Sequence, residues 1–333
     1  MGNYPLEIIP AAAIGDTVAE ATVLIIDTTR NDGVLDALQE LYPKTPVKIL
    51  YTKSGVNQVD VIISKAERIN LTTVVLCGEE LPKPQSILPR NRYYSAALIS
   101  PGSYKTENNI LQHILKDKSV IDFAHIAYQG YRYDNEVLKV LRSKNFEEMR
   151  LGEFRKDLAS AEPLLRSKEN IFIDLQSVRF GDLPDNSTLS PNGLYAEEIC
   201  QIARHIGMTQ KLRCVFIYGY SAKSKTITPS YRLLAEIIWH INEALASNVR
   251  ENPEDSEKDD SFMRKIVSMG DGGQEIVFIT SSLSGRWWLE IPEIKTNSNQ
   301  YVACSYADYL SACSGEIPLR WLYFFQKINP NKL

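Results

Sequence analysis

From Ala21 onward, short runs of β-branched and apolar residues alternate with segments of helical period, and no other property of the chain restricts its fold as strongly. Ala21-Thr-Val-Leu-Ile-Ile-Asp27 is followed by Gly33-Val-Leu-Asp-Ala-Leu-Gln-Glu-Leu41, and the same βα rhythm recurs. Further strands are predicted over 47–51, 72–77, 95–99, 123–128, 148–151, 171–175 and 213–218. Most are apolar throughout, as strands covered on both faces are. Helices are predicted over 58–69, 108–115, 136–141, 194–206 and 230–246. The last carries Leu233, Leu234, Ile237, Ile238, Ile241 and Leu245 at three- and four-residue spacing, which makes one face apolar. Strands joined by helices imply an α/β fold, a parallel sheet between two helical layers. In such sheets ligands gather at the carboxyl ends of the strands, so a site is to be sought there.

At 333 residues and 44% apolar content the chain can bury a large core. Residues 1–249 are read as the αβα domain and 250–263 as a disordered acidic insert, because Arg250-Glu-Asn-Pro-Glu-Asp-Ser-Glu-Lys-Asp-Asp-Ser261 has almost nothing to bury. Residues 264–333 are read as a C-terminal appendage packed on the main domain. In it Glu275-Ile-Val-Phe-Ile-Thr and Arg286-Trp-Trp-Leu-Glu-Ile form a hairpin. Ser305-Tyr-Ala-Asp308 has capping-box spacing and opens a short helix ending near Gly315, and Pro318 starts another over 319–327.

A net charge of −4 supplies no basic field for nucleic acid or anionic lipid. The five cysteines contain no C-x-x-C pair, as expected of reduced thiols in a cytoplasmic protein. The stretch Met1–Asp16 has no basic head followed by a long apolar run, and neither a leader nor a membrane span is expected. Gly2 lacks the serine or threonine that a myristoylation signal carries. No G-x-G-x-x-G follows a strand, no G-x-x-x-x-G-K-[ST] is present, and Gly270-Asp-Gly-Gly273 precedes a strand and reads as a turn. The four histidines, 113, 125, 205 and 240, form no H-x-H or H-x-x-x-H pair. Mid-strand His125 reads as a hydrogen-bonded core residue, and Cys77 as a packed thiol without a basic partner.

The most specific stretch is Asn170-Ile-Phe-Ile-Asp-Leu-Gln-Ser-Val-Arg-Phe-Gly-Asp-Leu-Pro184, continued by Ser190-Pro-Asn-Gly-Leu-Tyr-Ala-Glu-Glu-Ile-Cys-Gln-Ile-Ala-Arg204. A strand that delivers an acid and an amide into an irregular loop, then P-x-G-L-x-x-E-E opening a helix, resembles the third signature of the ureohydrolases: arginase, agmatinase and formimidoylglutamase. The resemblance is closest to formimidoylglutamase-like sequences and runs from about Asn108 to Ala246, more faintly over the N-terminal third. It implies a three-layer αβα ureohydrolase (arginase-like) fold with a parallel sheet of about eight strands, and assembly as an oligomer.

In that family two manganese ions, held by two histidines and four aspartates, bridge a hydroxide that is nucleophilic at neutral pH. The first family motif, G-G-x-H, falls at Val75-Leu-Cys-Gly-Glu-Glu-Leu-Pro82, which has no histidine; Glu79 and Glu80 read as solvated loop charges. The second, D-x-H-x-D, falls at Ser100-Pro-Gly-Ser-Tyr104, which offers neither acid nor imidazole. In the third, Asp174 matches the first aspartate and Gln176 replaces the second. The glutamate that would receive a guanidinium or formimino cation is replaced by Gly219.

The expected function is therefore non-catalytic and metal-free: a degenerate homologue with a binding, assembly or regulatory role. The alternative is a manganese hydrolase cleaving a C–N bond of a guanidino or formimino compound. Asp174, Gln176, Arg179, Gln129 and Tyr220 are the candidate residues of a remodelled small-molecule pocket. Competing structural roles are an Asp174–Arg179 pair that caps the loop, and Glu197 or Glu198 stabilising the helix start. Trp287 and Trp288 must face opposite sides of a strand, and with Trp321 they mark either internal packing or a surface for a protein partner.

Overall fold

The computed structural model describes residues 5–14, 21–45, 48–103, 109–224, 226–269 and 275–330. Residues 2–4, Val47, Tyr104, Asn108 and the Gly270–Gly273 cluster lie outside the described residues. The chain divides into two units, Met1–Leu141 with Glu147–Asn248, and Arg142–Phe146 with Val249–Leu333.

The first unit is built on nine parallel strands: β1 Leu6–Ile8, β2 Ala21–Asp27, β3 Lys48–Lys53, β4 Thr72–Gly78, β5 Tyr94–Ile99, β6 Val120–Tyr128, β7 Glu147–Arg150, β8 Asn170–Asp174 and β9 Cys214–Tyr218. Its helices are α1 Gly33–Gln39, α2 Val59–Arg68, α3 Pro84–Ile87, α4 Ile110–Lys116, α5 Asn135–Ser143, which runs across the boundary into the second unit, α6 Leu151–Lys156, α7 Ala161–Leu165, α8 Ala196–Gly207 and α9 Pro229–Ala246. The eight strands predicted for this unit are all present, and the three-residue β1 makes the ninth by pairing with β3.

Alternation decides how the sheet is covered. Val23 and Ile25, Val74 and Leu76, Ile171 and Ile173, and Val215 and Ile217 join one core with α1, α8 and α9. The intervening Leu24, Ile26, Phe172 and Phe216 are fully buried as well, the last two stacked across β8 and β9 at 5.0 Å. Both faces are therefore dry, which explains why these strands show no polar alternation.

The strand order is β1-β3-β2-β4-β9-β8-β5-β6-β7. After β4 the chain moves to β5, and β9 and β8 later fill the space between. The direction of winding reverses at this point, and the connecting loops part at the carboxyl ends of the strands, leaving a crevice there.

The second unit is an antiparallel sheet in the order β10 Phe262–Ser268, β11 Glu275–Ser281, β12 Trp287–Glu293 and β13 Ser298–Cys304, followed by α10 Tyr306–Cys313 and α11 Leu319–Ile328. The predicted hairpin is thus the middle of a four-stranded meander. Its core joins Ile276, Phe278, Leu289, Ile291 and Val302 to Trp321 and Phe325. Ser305 and Asp308 form the expected capping box, with Ser305 N donating to Asp308 Oδ2 at 2.8 Å.

Residues 250–263, expected to be disordered, instead carry local order: Asn252 caps a 3₁₀ turn at Pro253–Asp255, and Glu251 is buried 3.6 Å from Arg286. Composition hid this, because the exposed charges outnumber the few groups that anchor the segment. Trp321 stacks on Phe325 inside the unit's core, and Trp288 is buried with Ile279 and Ala303. Trp287 faces the other way, against Tyr306 and Tyr309 of α10.

Candidate functional site

Strand β8 ends in Asp174, whose Oδ1 accepts the Gln176 amide at 3.0 Å. This side-chain turn stops the strand and starts a 3₁₀ turn at Leu175–Ser177. On the neighbouring strand, Gly219 follows β9 with φ +83°, and a Cβ built there would lie 2.4 Å from Asp174 Oδ1 and 3.2 Å from Gln176 Cγ. Only glycine satisfies both the backbone and the space. Gly219 N and Tyr220 N both donate to Gly78 O, at 2.8 and 3.2 Å, which ties the end of β9 to the end of β4. Asn186 is buried and donates to Leu175 O and Val178 O at 3.2 and 2.9 Å, and Ser221 N donates to Asp185 O at 3.1 Å, so the loop after β8 is held to its neighbours.

These ties frame an open pocket of about 620 Å³ at the crevice the topology creates. Asp174 and Gln176 line its β8 side, Tyr218 and Tyr220 its β9 side, and Glu79 and Glu80 its β4 side. Lys223 and Asp185 come from the loops, and Leu81 and Ile110 add an apolar flank. Asp174 is only 3% exposed. Among the described residues its Oδ1 accepts the Gln176 N–H and its second oxygen has no hydrogen-bond partner. Burial pushes its carboxyl up to about 7, against the lowering effect of the Gln176 N–H. Glu79 pairs with Lys223 at 2.8 Å on the exposed rim.

The structure thus brings together Asp174, Gln176 and Tyr220 of the five candidate residues. Arg179 turns away from Asp174: it pairs with Asp182 at 2.7 Å and lies over the Tyr195 ring at 4.2 Å. Gln129 is buried beneath the following loop, donating to Asn192 O at 3.3 Å and accepting from the Tyr131 hydroxyl. Glu198 has the expected place at the start of α8, where it accepts Tyr195 N and pairs with Arg155 at 2.9 Å. Asp185, Ser187 and Lys223 were not anticipated, because they come from irregular segments in which no periodicity fixes a direction; nor was Asn109, which lies in a predicted helix and caps α4.

At the place of the second family motif, Ser100 is buried at the end of β5. Its Oγ lies 2.8 Å from His125 Nε2, and His125 Nδ1 lies 2.7 Å from the Tyr133 hydroxyl. Burial pushes the imidazole down to about 3, so His125 is a neutral, hydrogen-bonded core residue. Gly102 sits so close to the Gly130–Arg132 turn that a Cβ would lie 2.3 Å from Arg132 O. Backbone therefore occupies the place where any side chain at position 102, that of the motif's histidine, would have to project.

The dinuclear manganese centre of the ureohydrolases does not fit these residues. Among the described residues no three His, Cys, Asp or Glu side chains are grouped so that they could hold a metal ion. Asp174 is the one acid at a matching position, and an amide such as Gln176 is a weaker, uncharged oxygen donor. Among the described residues no helix is long and apolar enough to cross a membrane.

No protein-family profile and no characterised protein sequence matches the chain. Solved structures do match. Formiminoglutamase from Trypanosoma cruzi (oxidized, pH 4.6) superposes with a TM-score of 0.59 at 14% identity, over 72% of this chain and 99% of that one. Formimidoylglutamase from Bacillus subtilis gives 0.58 at 10% identity over 71% and 90%. An arginase-like protein of T. brucei carrying three Ser→Asp and one Arg→His substitutions gives 0.54 at 12% identity over 71% and 94%. At these identities the likeness concerns the backbone alone, and the chain accordingly has the arginase-like α/β fold, with a large parallel sheet and a separate small antiparallel one.

Proposed function

We propose that the protein is a non-catalytic, metal-free binding or regulatory relative of the ureohydrolases, and that the pocket at the ends of β4, β8 and β9 is its ligand site. The observation that carries this reading is that side-chain space at two strand ends is already filled. Gly219 leaves no room for a side chain beside Asp174, and the loop after β5 is packed against Arg132 O. A nucleophilic hydroxide needs at least one divalent ion held by several charged or imidazole donors, and one aspartate cannot offset dehydration of such an ion. The T. brucei arginase-like protein offers a parallel, since its unsubstituted chain has serines and an arginine where aspartates and a histidine were introduced.

Calorimetric titration of the full chain with manganese tests the metal side of the proposal. No saturable binding is expected, and submicromolar binding of two ions would overturn it. Incubation with manganese and guanidino or formimino compounds should release no urea, formamide or ammonia. The binding side is tested by thermal shift, because a small polar ligand that binds only the folded state raises its melting temperature.

A further inference from the structure

We propose that this pocket receives an aliphatic diamine, with one ammonium on the free oxygen of Asp174 and the methylene chain along Leu81 and Ile110. This rests on the pocket-binding reading above and gives it a ligand class. Charge is the first argument. Glu79, Glu80, Asp174 and Asp185 line the pocket, and Lys223, the one cation among the described lining residues, is already paired with Glu79 at 2.8 Å. Among the described lining residues a ligand carboxylate would meet surplus negative charge and no unpaired cation, which disfavours amino acids.

The second argument separates an ammonium from a guanidinium. A guanidinium is best held by a carboxylate presenting both oxygens to a planar fork. Asp174 is poorly set for this, because Oδ1 already accepts the Gln176 N–H at 3.0 Å and is crowded by Gly219, while the second oxygen has no hydrogen-bond partner among the described residues. A single free oxygen suits the point-like donor of an ammonium. The third argument concerns length. Leu81 and Ile110 give an apolar path for methylene groups. Glu80 and Asp185 leave negative charge for a second ammonium, although one Asp185 oxygen already accepts the Thr228 hydroxyl at 3.0 Å.

The test is calorimetry of the full chain at 150 mM salt with 1,4-diaminobutane, butylamine, a guanidino compound of similar length, and arginine. Diaminobutane is expected to bind about tenfold or more tightly than butylamine and the guanidino compound, with arginine weakest. Asp174→Asn should weaken diaminobutane about tenfold or more, and Glu80→Gln should narrow its advantage over butylamine. Glu80 is exposed, so its variant tests the second ammonium without disturbing the buried end of the pocket. If the guanidino compound or arginine binds best and Asp174→Asn abolishes that binding, the pocket reading stands and the diamine inference is overturned. If no compound of any class raises the melting temperature or binds, both fall.

Discussion

Replacing Asp174 by asparagine should stabilise the protein at neutral pH, and the size of the gain follows from the burial of one carboxyl. In the folded state that carboxyl is raised from 3.8 to about 7, chiefly by loss of solvent. The unfolded chain therefore gives up this proton first as pH rises. Between about pH 4 and pH 7 the folded state holds the extra proton, so stability falls with rising pH across that window and levels off above it. At about 1.4 kcal/mol per tenfold change in proton affinity, the penalty at pH 8 approaches ~4 kcal/mol. Asparagine keeps an oxygen for the Gln176 N–H and never ionises. Urea unfolding of both proteins from pH 4.5 to pH 8 should give curves about 1 kcal/mol apart at the acid end that diverge in favour of asparagine to a few kcal/mol at the other. Every other titrating group is common to the two proteins, so the difference reports Asp174 alone. Parallel curves, or a gain that shrinks as pH rises, would refute the reasoning.

Three further substitutions probe the supports of the site and of the second unit. Gly219→Ala places a methyl against Asp174 in a left-handed backbone position and should cost about 2–4 kcal/mol in urea unfolding; a loss below about 0.5 kcal/mol would contradict the packing described. Tyr133→Phe removes the hydroxyl beside His125 Nδ1 and should cost about 1–3 kcal/mol while leaving diaminobutane affinity unchanged by calorimetry, because the hydrogen-bonded chain from Ser100 to Tyr133 lies outside the pocket. Trp321→Ala empties the core of the second unit and should lower its stability by about 3–5 kcal/mol, read as earlier loss of near-ultraviolet circular dichroism in urea.

The sheet was legible because both of its faces are covered. The centres of strands such as β4 (Val74–Leu76) and β8 (Ile171–Ile173) are apolar at every position, and a run of that kind between turn signals has few other uses. What escaped was too short or too polar to leave a pattern. Strand β1 has three residues, while α6 and α7 have six and five. Helix α6 depends on a capping interaction, with Arg150 N donating to Glu153 at 3.0 Å, rather than on an apolar stripe. In the second unit β10 exposes Met263 and Ile266, and β13 opens with Ser298, Asn299 and Gln300, so neither resembles a buried strand even though each pairs with one. Site residues followed the same division. Asp174, Gln176 and Tyr220 sit within two residues of a strand end, where the backbone fixes where they lie. Arg179 and Gln129 are also near strand ends, but a long side chain takes whichever partner is in reach, and theirs are Asp182 and Asn192.

Losing metal ligands one by one would leave space wherever a ligand side chain had stood, and the ends of β5 and β9 are not of that form. Space that longer side chains would need is already filled: Arg132 O lies where a Cβ at Gly102 would point, and the Asp174 carboxylate lies where a Cβ at Gly219 would. Ser100 is not a shortened aspartate facing solvent; it belongs to a buried chain of hydrogen bonds with His125 and Tyr133. The open volume that persists lies at β4, β8 and β9, where the order of strands separates the loops whatever residues they carry. Topology therefore preserves a crevice and the side chains redefine it. Within that crevice Asp174 is retained in a setting where its charge costs stability and where asparagine would keep the same backbone hydrogen bond, so folding alone does not account for the acid. The proposed ligand at the free carboxylate oxygen would.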